Sequence, residues 1–168
     1  TLSQSGRVKG SLFDVIDNTT TKAGSRLLHS YLSAPLINIE AINKRLAITK
    51  FFYENIELAE IIRTSLKKTG DLERCITRIN MDRSTPKDLL SIKYTIEMAE
   101  RIGSDFVVKN RDKLPQNIEK IISPLLGNNE IYELISDSIN DNALNSTTDG
   151  KIIKHDYHPK ISELYNLI

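Results

Sequence analysis

The chain has 168 residues, enough for one core, and its 39% hydrophobic and 27% charged fractions exclude a disordered polymer. With 23 basic and 22 acidic side chains the net charge is +1, so the sequence shows no basic face able to grip nucleic acid unaided. Cys75 is the only cysteine, which excludes an intrachain disulfide and fits a reducing compartment.

The stretch to Gly10 is polar. Ser11 is placed to cap a short helix over Leu12-Phe13-Asp14-Val15-Ile16, with Asp14 three residues on as in a capping box. Asn18-Thr19-Thr20-Thr21 interrupts it, because these side chains compete for backbone hydrogen bonds. Thr21 then caps a second helix with Ala23, Leu27, Leu28, Tyr31 and Leu32 on one face, ending before Pro35. Asn38 caps a third, with Ile39, Ile42, Leu46 and Tyr53 at helical spacing. A fourth runs from about Ile56 to Leu66 through Leu58, Ile61 and Ile62.

Gly70 stops the chain and Asp71 restarts it. Leu72, Cys75, Ile76 and Ile79 follow at i, i+3, i+4, i+7. Thr85-Pro86 starts the next helix, with Asp88 facing the positive end of its dipole; Leu89, Ile92, Ile96 and Ala99 carry its face to Gly103. Phe106-Val107-Val108 and Ile118 to Leu126 read as short helices broken by Pro115 and Pro124. Glu130 to Ile139 restores the period through Ile131, Leu134 and Ile135. Asn140 to Gly150 reads as a loop, and 151–154 as one short extended segment. A last helix starts near Pro159 and is still in progress at Ile168. The predicted fold class is therefore all-α, a single multi-helix domain over 1–168.

No apolar run approaches the ~20 residues that span a bilayer, and Thr1-Leu2-Ser3-Gln4-Ser5-Gly6 contains no signal core. By elimination the expected compartment is the cytoplasm, and the missing initiator Met suggests a piece of a longer chain. Neither G-x-x-x-x-G-K-[ST] nor G-x-G-x-x-G occurs, so no phosphate cradle is expected. Cys75 lies on an apolar face and reads as a small core hydrophobe. His155-Asp156-Tyr157-His158-Pro159 resembles metal chemistry only superficially, since a structural site needs four ligands and Pro159 breaks the spacing. Asp137, Asp141 and Asp149 do not fit a Ca²⁺ loop. His29 reads as a solvated side chain. The sequons at Asn18 and Asn145 carry no meaning in a cytosolic protein.

Two phrases remain. Gly24 sits in the first turn of a good helix, where it costs about 1 kcal/mol relative to Ala. Either it is tolerated drift, or it is the point where a neighbouring backbone comes close, with Arg26 tying the same junction by an ion pair or a carbonyl contact. Asp71-Leu72-Glu73-Arg74 places two acids at a helix start and an Arg able to pair; Arg26, Arg74 and Arg78 can each bridge helices or simply be solvated, the commoner outcome for surface Arg. Gly24, Arg26, Asp71 and Arg74 are the structural or coupling candidates; no catalytic, cofactor-binding or metal residue is assigned.

These phrases also carry a family likeness. Gly10-Ser11-Leu12 and Asp17-x-Thr19-x-Thr21-x-x-Gly24-Ser25-Arg26-x-Leu28-x-x-x-Leu32-x-x-Pro35-Leu36 resemble the start of the core, or lever, domain of the MutS family of DNA mismatch-repair ATPases. The resemblance continues at Asp71-Leu72-Glu73-Arg74, Arg78 and Pro86-x-Asp88-Leu89, then at Asp149-Gly150-x-x-Ile153-x-x-x-Tyr157 and Ile161-x-Glu163-Leu164. The stretch from Phe106 to Asn145 matches no motif. Tyr31 stands where the family usually has Trp, Asp156 where it has Gly, and Ile161-Ser162 where it has Leu-Asp.

The resemblance implies the N-terminal part of a helical lever domain, with 159–168 the start of a lever helix leading toward a clamp domain absent here. It implies a coupler between mismatch-DNA binding and an ATPase located elsewhere in the parent chain. The segment itself needs no cofactor, while the parent would use ATP and Mg. Implied partners are the connector, clamp and ATPase domains of the same chain, mismatched double-stranded DNA, a MutL-type protein and a second parent subunit. Two other readings stand beside it. One is an unrelated helical interaction or scaffold module. The other is a small metal-dependent hydrolase built on His155 and His158.

Overall fold

The structure, a computed structural model, describes residues 9–110, 116–144 and 151–166. The Asp149-Gly150 motif, Pro115, the sequon at Asn145 and the final Leu-Ile pair lie outside the described residues. Helices occupy most of the rest, and several of them start at the capping residues that the sequence supplies. Helix α1 (Leu12–Ile16) is capped by Ser11, whose hydroxyl accepts from the Asp14 N–H; Asp14 returns a bond to the Gly10 N–H at 2.9 Å. Helix α2 (Lys22–Ser33) is capped by Thr21, α3 (Ile39–Glu54) by Asn38, and α5 (Leu72–Asn80) by Asp71. Helix α4 (Ile56–Leu66) follows α3 across Asn55 alone.

Helix α6 (Pro86–Asn110) is the axis around which α4, α5 and α8 pack. It runs unbroken past Gly103, where the sequence suggests an end and a separate helix around Phe106. The reason is local: a Cβ at Gly103 would lie 2.7 Å from Leu126 Cδ2. The glycine is buried under the 3-10 turn Ser123–Leu125, so it serves close packing of that turn onto α6 rather than termination. That turn follows α7 (Gln116–Ile122), and Pro124 sits inside it where a missing N–H is harmless. Helix α8 (Asn129–Ser138) comes next, then a 3-10 turn Asp141–Leu144.

Two apolar clusters sit along α6. Around its C-terminal half, Phe106 joins Phe51, Ile118 and Ile122, with Ile48, Phe52, Leu58 and Ile62 packed against them. The three phenyl rings meet at centroid distances of 5.5 to 6.1 Å, the range in which aromatic pairs attract. Around its N-terminal half, fully buried Leu90 joins Ile135, Ile139 and Ala143.

Several expected core faces turn outward. On α3, Ile39, Leu46 and Tyr53 are 73%, 58% and 79% exposed, and the core is instead filled from Ile48, Phe51 and Phe52. Both stripes have helical spacing, so periodicity alone could not choose between them. Ile131 and Leu134 of α8 likewise face out while Ile135 and Ile139 face in. Neither α1 nor α2 buries a side chain, and Leu27 and Tyr31 are exposed.

The extended piece at 151–154 is present as one antiparallel bridge between Ile139 and Ile153. The Asn140 N–H donates to Ile152 O and the Lys154 N–H to Ser138 O. Helix α9 (Pro159–Tyr165) begins where expected; Asn166 keeps right-handed helical angles and donates to Ser162 O, and the last two positions of the expected continuing helix lie outside the described residues. No helix among the described residues is long and apolar enough to cross a membrane.

Candidate functional site

The Asp17-to-Arg26 phrase folds as one hydrogen-bonded unit. Asp17 Oδ1 accepts from both the N–H and the hydroxyl of Thr19, at 3.1 and 2.6 Å, and its Oδ2 accepts from Ser25 Oγ at 2.6 Å. The Ser25 bond, then those from Thr19, hold the Asp17 carboxyl below the usual carboxylate range. Thr21 Oγ1 accepts from the Gly24 N–H at 3.0 Å. The turn before α2 is thus fixed against the first turn of α2, and Arg26 projects from a defined place.

Arg26 reaches across to the start of α5. Its Nη1 lies 2.9 Å from Asp71 Oδ2 and its Nη2 2.8 Å from Asp71 Oδ1, a two-pronged guanidinium–carboxylate pair. Glu73 Oε2 adds a contact at 2.6 Å. The Arg26 hydrogen bonds are the main cause that keeps the Asp71 carboxyl below its ordinary value, and Asp71 in turn holds the guanidinium more firmly protonated. Asp71 has a second duty: its Oδ1 caps α5 by accepting from the Arg74 N–H at 3.3 Å. One carboxylate therefore starts a helix and receives a cation from 45 residues upstream.

The candidates do not all play the part expected of them. Arg26 and Asp71 meet. Arg74 belongs to the junction through its backbone, while its side chain is exposed and adds a positive charge near Asp71 and Asp88. Gly24 corrects the expectation that a neighbouring backbone approaches. A Cβ there would meet Thr21 Oγ1 at 3.1 Å and Thr19 Cβ at 3.5 Å, both from the adjoining turn. The close approach is real, but local. Gly70 is the glycine that sits against another element: a Cβ there would run into Ser91 Oγ of α6, and its N–H donates to Thr95 Oγ1 at 2.8 Å.

Further ties were not legible. Arg63 Nη2 of α4 donates to Asn18 O at 3.2 Å, and the Arg45 guanidinium of α3 lies 3.5 Å from the centre of the Tyr31 ring. At the α5–α6 corner, Asp88 Oδ2 accepts from the N–H and hydroxyl of Thr85. Arg78 Nε stands 3.1 Å from that oxygen without aiming its hydrogen at it, and Arg78 Nη2 donates to Arg83 O. Burial pushes the Asp88 carboxyl upward, but the Thr85 bonds and the Arg78 and Arg74 charges outweigh it and leave it low. Lys93, 7% exposed, pairs with Asp141 Oδ1 at 2.7 Å. The visible signal for that pair was a lysine set among Leu89, Leu90, Ile92 and Ile96 of α6.

The residues set aside for chemistry are accounted for by packing. Cys75 is buried with its Sγ 4.0 Å from Asp88 Oδ1. His158 Nδ1 accepts from the Lys160 N–H to cap α9, and His155 stacks on Tyr165. Among the described residues no three His, Cys, Asp or Glu side chains gather as metal ligands. His29, read as solvated, stands edge-on to Phe13 at 5.3 Å. A chamber of about 500 Å³ lies between the helices, walled by Ile62, Leu66, Ala99 and Phe106 of the body and by Thr21, the cap of α2, and Ala23 in its first turn.

The class so defined is an all-α domain whose motif residues join helix to helix. The family described as MutS domain III matches residues 1–167. The chain is 54% identical over 163 residues to the DNA mismatch repair protein MutS of Rickettsia felis, covering 97% of this chain and 18% of that protein. It is 53% identical over 168 residues to that of Rickettsia africae, covering 100% and 19%, and 49% identical over 163 residues to that of Rickettsia bellii, covering 97% and 18%. The chain belongs to the MutS domain III family, which sets aside the reading as an unrelated scaffold. It spans about a fifth of the length of these relatives.

Proposed function

We propose that this chain is the N-terminal part of the core domain of a MutS-type protein and couples mismatch-DNA binding to ATP hydrolysis elsewhere in the parent. On this reading 1–168 forms a single domain and the segment 159–168 starts the lever helix that leads toward the clamp. The parent is a cytoplasmic, DNA-dependent ATPase and a homodimer, acting with mismatched duplex DNA and a MutL-type protein; the connector, clamp and ATPase domains contact this segment. ATP and Mg belong to that ATPase. The residues here do not fit a nucleotide, since the sequence has no phosphate loop and its motif side chains are engaged with one another.

The observation that carries the proposal is the Arg26–Asp71 pair. It joins two of the blocks of sequence that resemble the family, through a residue that also sets the start of α5. A coupling domain needs junctions with discrete arrangements, because allostery is a free energy shared between sites. Asp71→Asn in the parent protein tests this, since Asn still caps a helix but gives up the charge. Mismatch-stimulated ATP turnover should fall by about fivefold or more while turnover without DNA and the thermal midpoint stay close to wild type. Unchanged stimulation would refute the coupling role of this junction.

A further inference from the structure

The short α1–α2 hairpin differs from the central helices in what holds it. Helices α3, α5, α6 and α8 each bury at least one side chain; α1 and α2, like α4 and α9, bury none. Helix α4 still packs Leu58 and Ile62 against the cluster of Phe51 and Phe106, which takes no side chain from α1 or α2. Three arginines join the hairpin to the body, each at a different point. Arg26 leaves α2 for Asp71 and Glu73 at the start of α5. Arg63 comes from α4 to the carbonyl of Asn18 in the turn between α1 and α2. Arg45 comes from α3 to the face of Tyr31 at the far end of α2. Within itself the hairpin is well tied, by Asp17 to Thr19 and Ser25 and by Phe13 against His29. Under its inner end, Thr21 and Ala23 form one wall of the apolar chamber whose other walls belong to the body.

We propose that residues 11–33 form an arm docked on the helical body by arginine contacts, able to leave it as a unit and thereby open the apolar chamber beneath Thr21 and Ala23. The physical basis is the kind of contact. Buried apolar packing resists separation in proportion to the area covered. Half-exposed guanidinium contacts are weakened by salt, whose screening length falls from about 10 Å at 0.1 M to about 3 Å at 1 M. Arg26 and Arg63 are each 46% exposed. Internal ties keep the hairpin together while the external ones let go, which is the condition for motion as a unit. Once detached, α2 has 12 residues, a length at which a helix in water is marginal, so its amides exchange readily.

The test is hydrogen–deuterium exchange by mass spectrometry on the full-length parent protein, comparing wild type with Arg26→Ala/Arg63→Ala and with Lys120→Ala, a charge deletion at an exposed position of α7. In the double variant, peptides within 11–33 should exchange about tenfold faster or more, while peptides of α6 and α8 stay at the wild-type rate. High salt should move wild type in the same direction, and Lys120→Ala should behave as wild type. Unchanged exchange in 11–33 would overturn the proposal, because the arginines would then not be what docks the hairpin. Equal acceleration in α6 and α8 would overturn it too, because hairpin and body would then open as one unit. Outright unfolding of the double variant would count as the latter result, and Arg26→Lys/Arg63→Lys, which keeps the charges but not the fork, separates it. That variant should give an intermediate rate in 11–33 alone.

Discussion

Replacing Asp141 by Asn removes the charge that answers Lys93. The Lys93 side chain is 9% exposed and lies 2.7 Å from an Asp141 that is itself 52% exposed. Burial alone would lower the ammonium pKa, but the hydrogen bond and charge of Asp141 reverse this and leave Lys93 above its ordinary 10.5. Asp141 is held below 3.8, chiefly by the Lys93 hydrogen bond. Removing one partner of a fully buried pair costs about 3–5 kcal/mol. Here one partner reaches water and the Tyr94 hydroxyl stands 3.4 Å away, so the expected loss is nearer 1–3 kcal/mol.

The pH dependence follows from the signs. The Asp141 contribution is present above the unfolded carboxyl value and lost as pH falls through the lower folded one. The Lys93 contribution is present below the unfolded ammonium value and lost as pH rises through the higher folded one. Between about pH 4 and pH 10 the difference between wild type and Asp141→Asn should be flat, and it should shrink in acid. Urea unfolding followed by far-UV circular dichroism reads both. Lys93→Met/Asp141→Asn should recover most of the loss, since an apolar side chain needs no counter-charge. A single variant as stable as wild type across that window, or a double variant no better than the single, would refute the account.

Two glycines make an opposed pair of tests. Gly70→Ala should destabilise by about 1–3 kcal/mol in the same assay, because its Cβ would run into Ser91 of α6 at the point where the Thr95 hydroxyl binds the Gly70 N–H. Gly24→Ala should change stability by less than about 1 kcal/mol, the helix propensity gained being offset by the tight Thr21 hydroxyl. A loss above about 2 kcal/mol at Gly24 would mean that a second element packs there after all.

The helix starts were legible because a cap is a local device. Ser11, Thr21, Asn38 and Asp71 each declare themselves by a short oxygen-bearing side chain before an apolar period, and each accepts the expected N–H. Which face of a helix turns inward is not local. The outward stripe Ile39, Leu46, Tyr53 and the inward Ile48, Phe51, Phe52 differ only in what the rest of the chain places beside them. The same holds for Gly103, whose partner Leu126 lies 23 residues away and converts an apparent stop into a close contact. At the junction, Arg26 could be expected to find an anion or a carbonyl, and the phrase at Asp71 advertised acids at a helix start. That these two meet, and that Arg45 and Arg63 serve the same hairpin from separate helices, requires the fold.

The unbroken course of α6 sets a rule for how this domain tolerates insertion and deletion. Leu90 and Phe106 anchor the two clusters from one helix, 16 positions apart. At about 100° per residue they project about 160° from each other, and the rise between them is about 24 Å. Nothing between them is a loop that could absorb a change of phase. One residue added or removed within that span would swing one cluster's anchor by about 100°, away from its partners. A four-residue change would mis-aim it by only about 40° while shifting it by about 6 Å along the axis. Length variation in relatives should therefore collect outside 90–106, in the connections that α6 leaves free to vary.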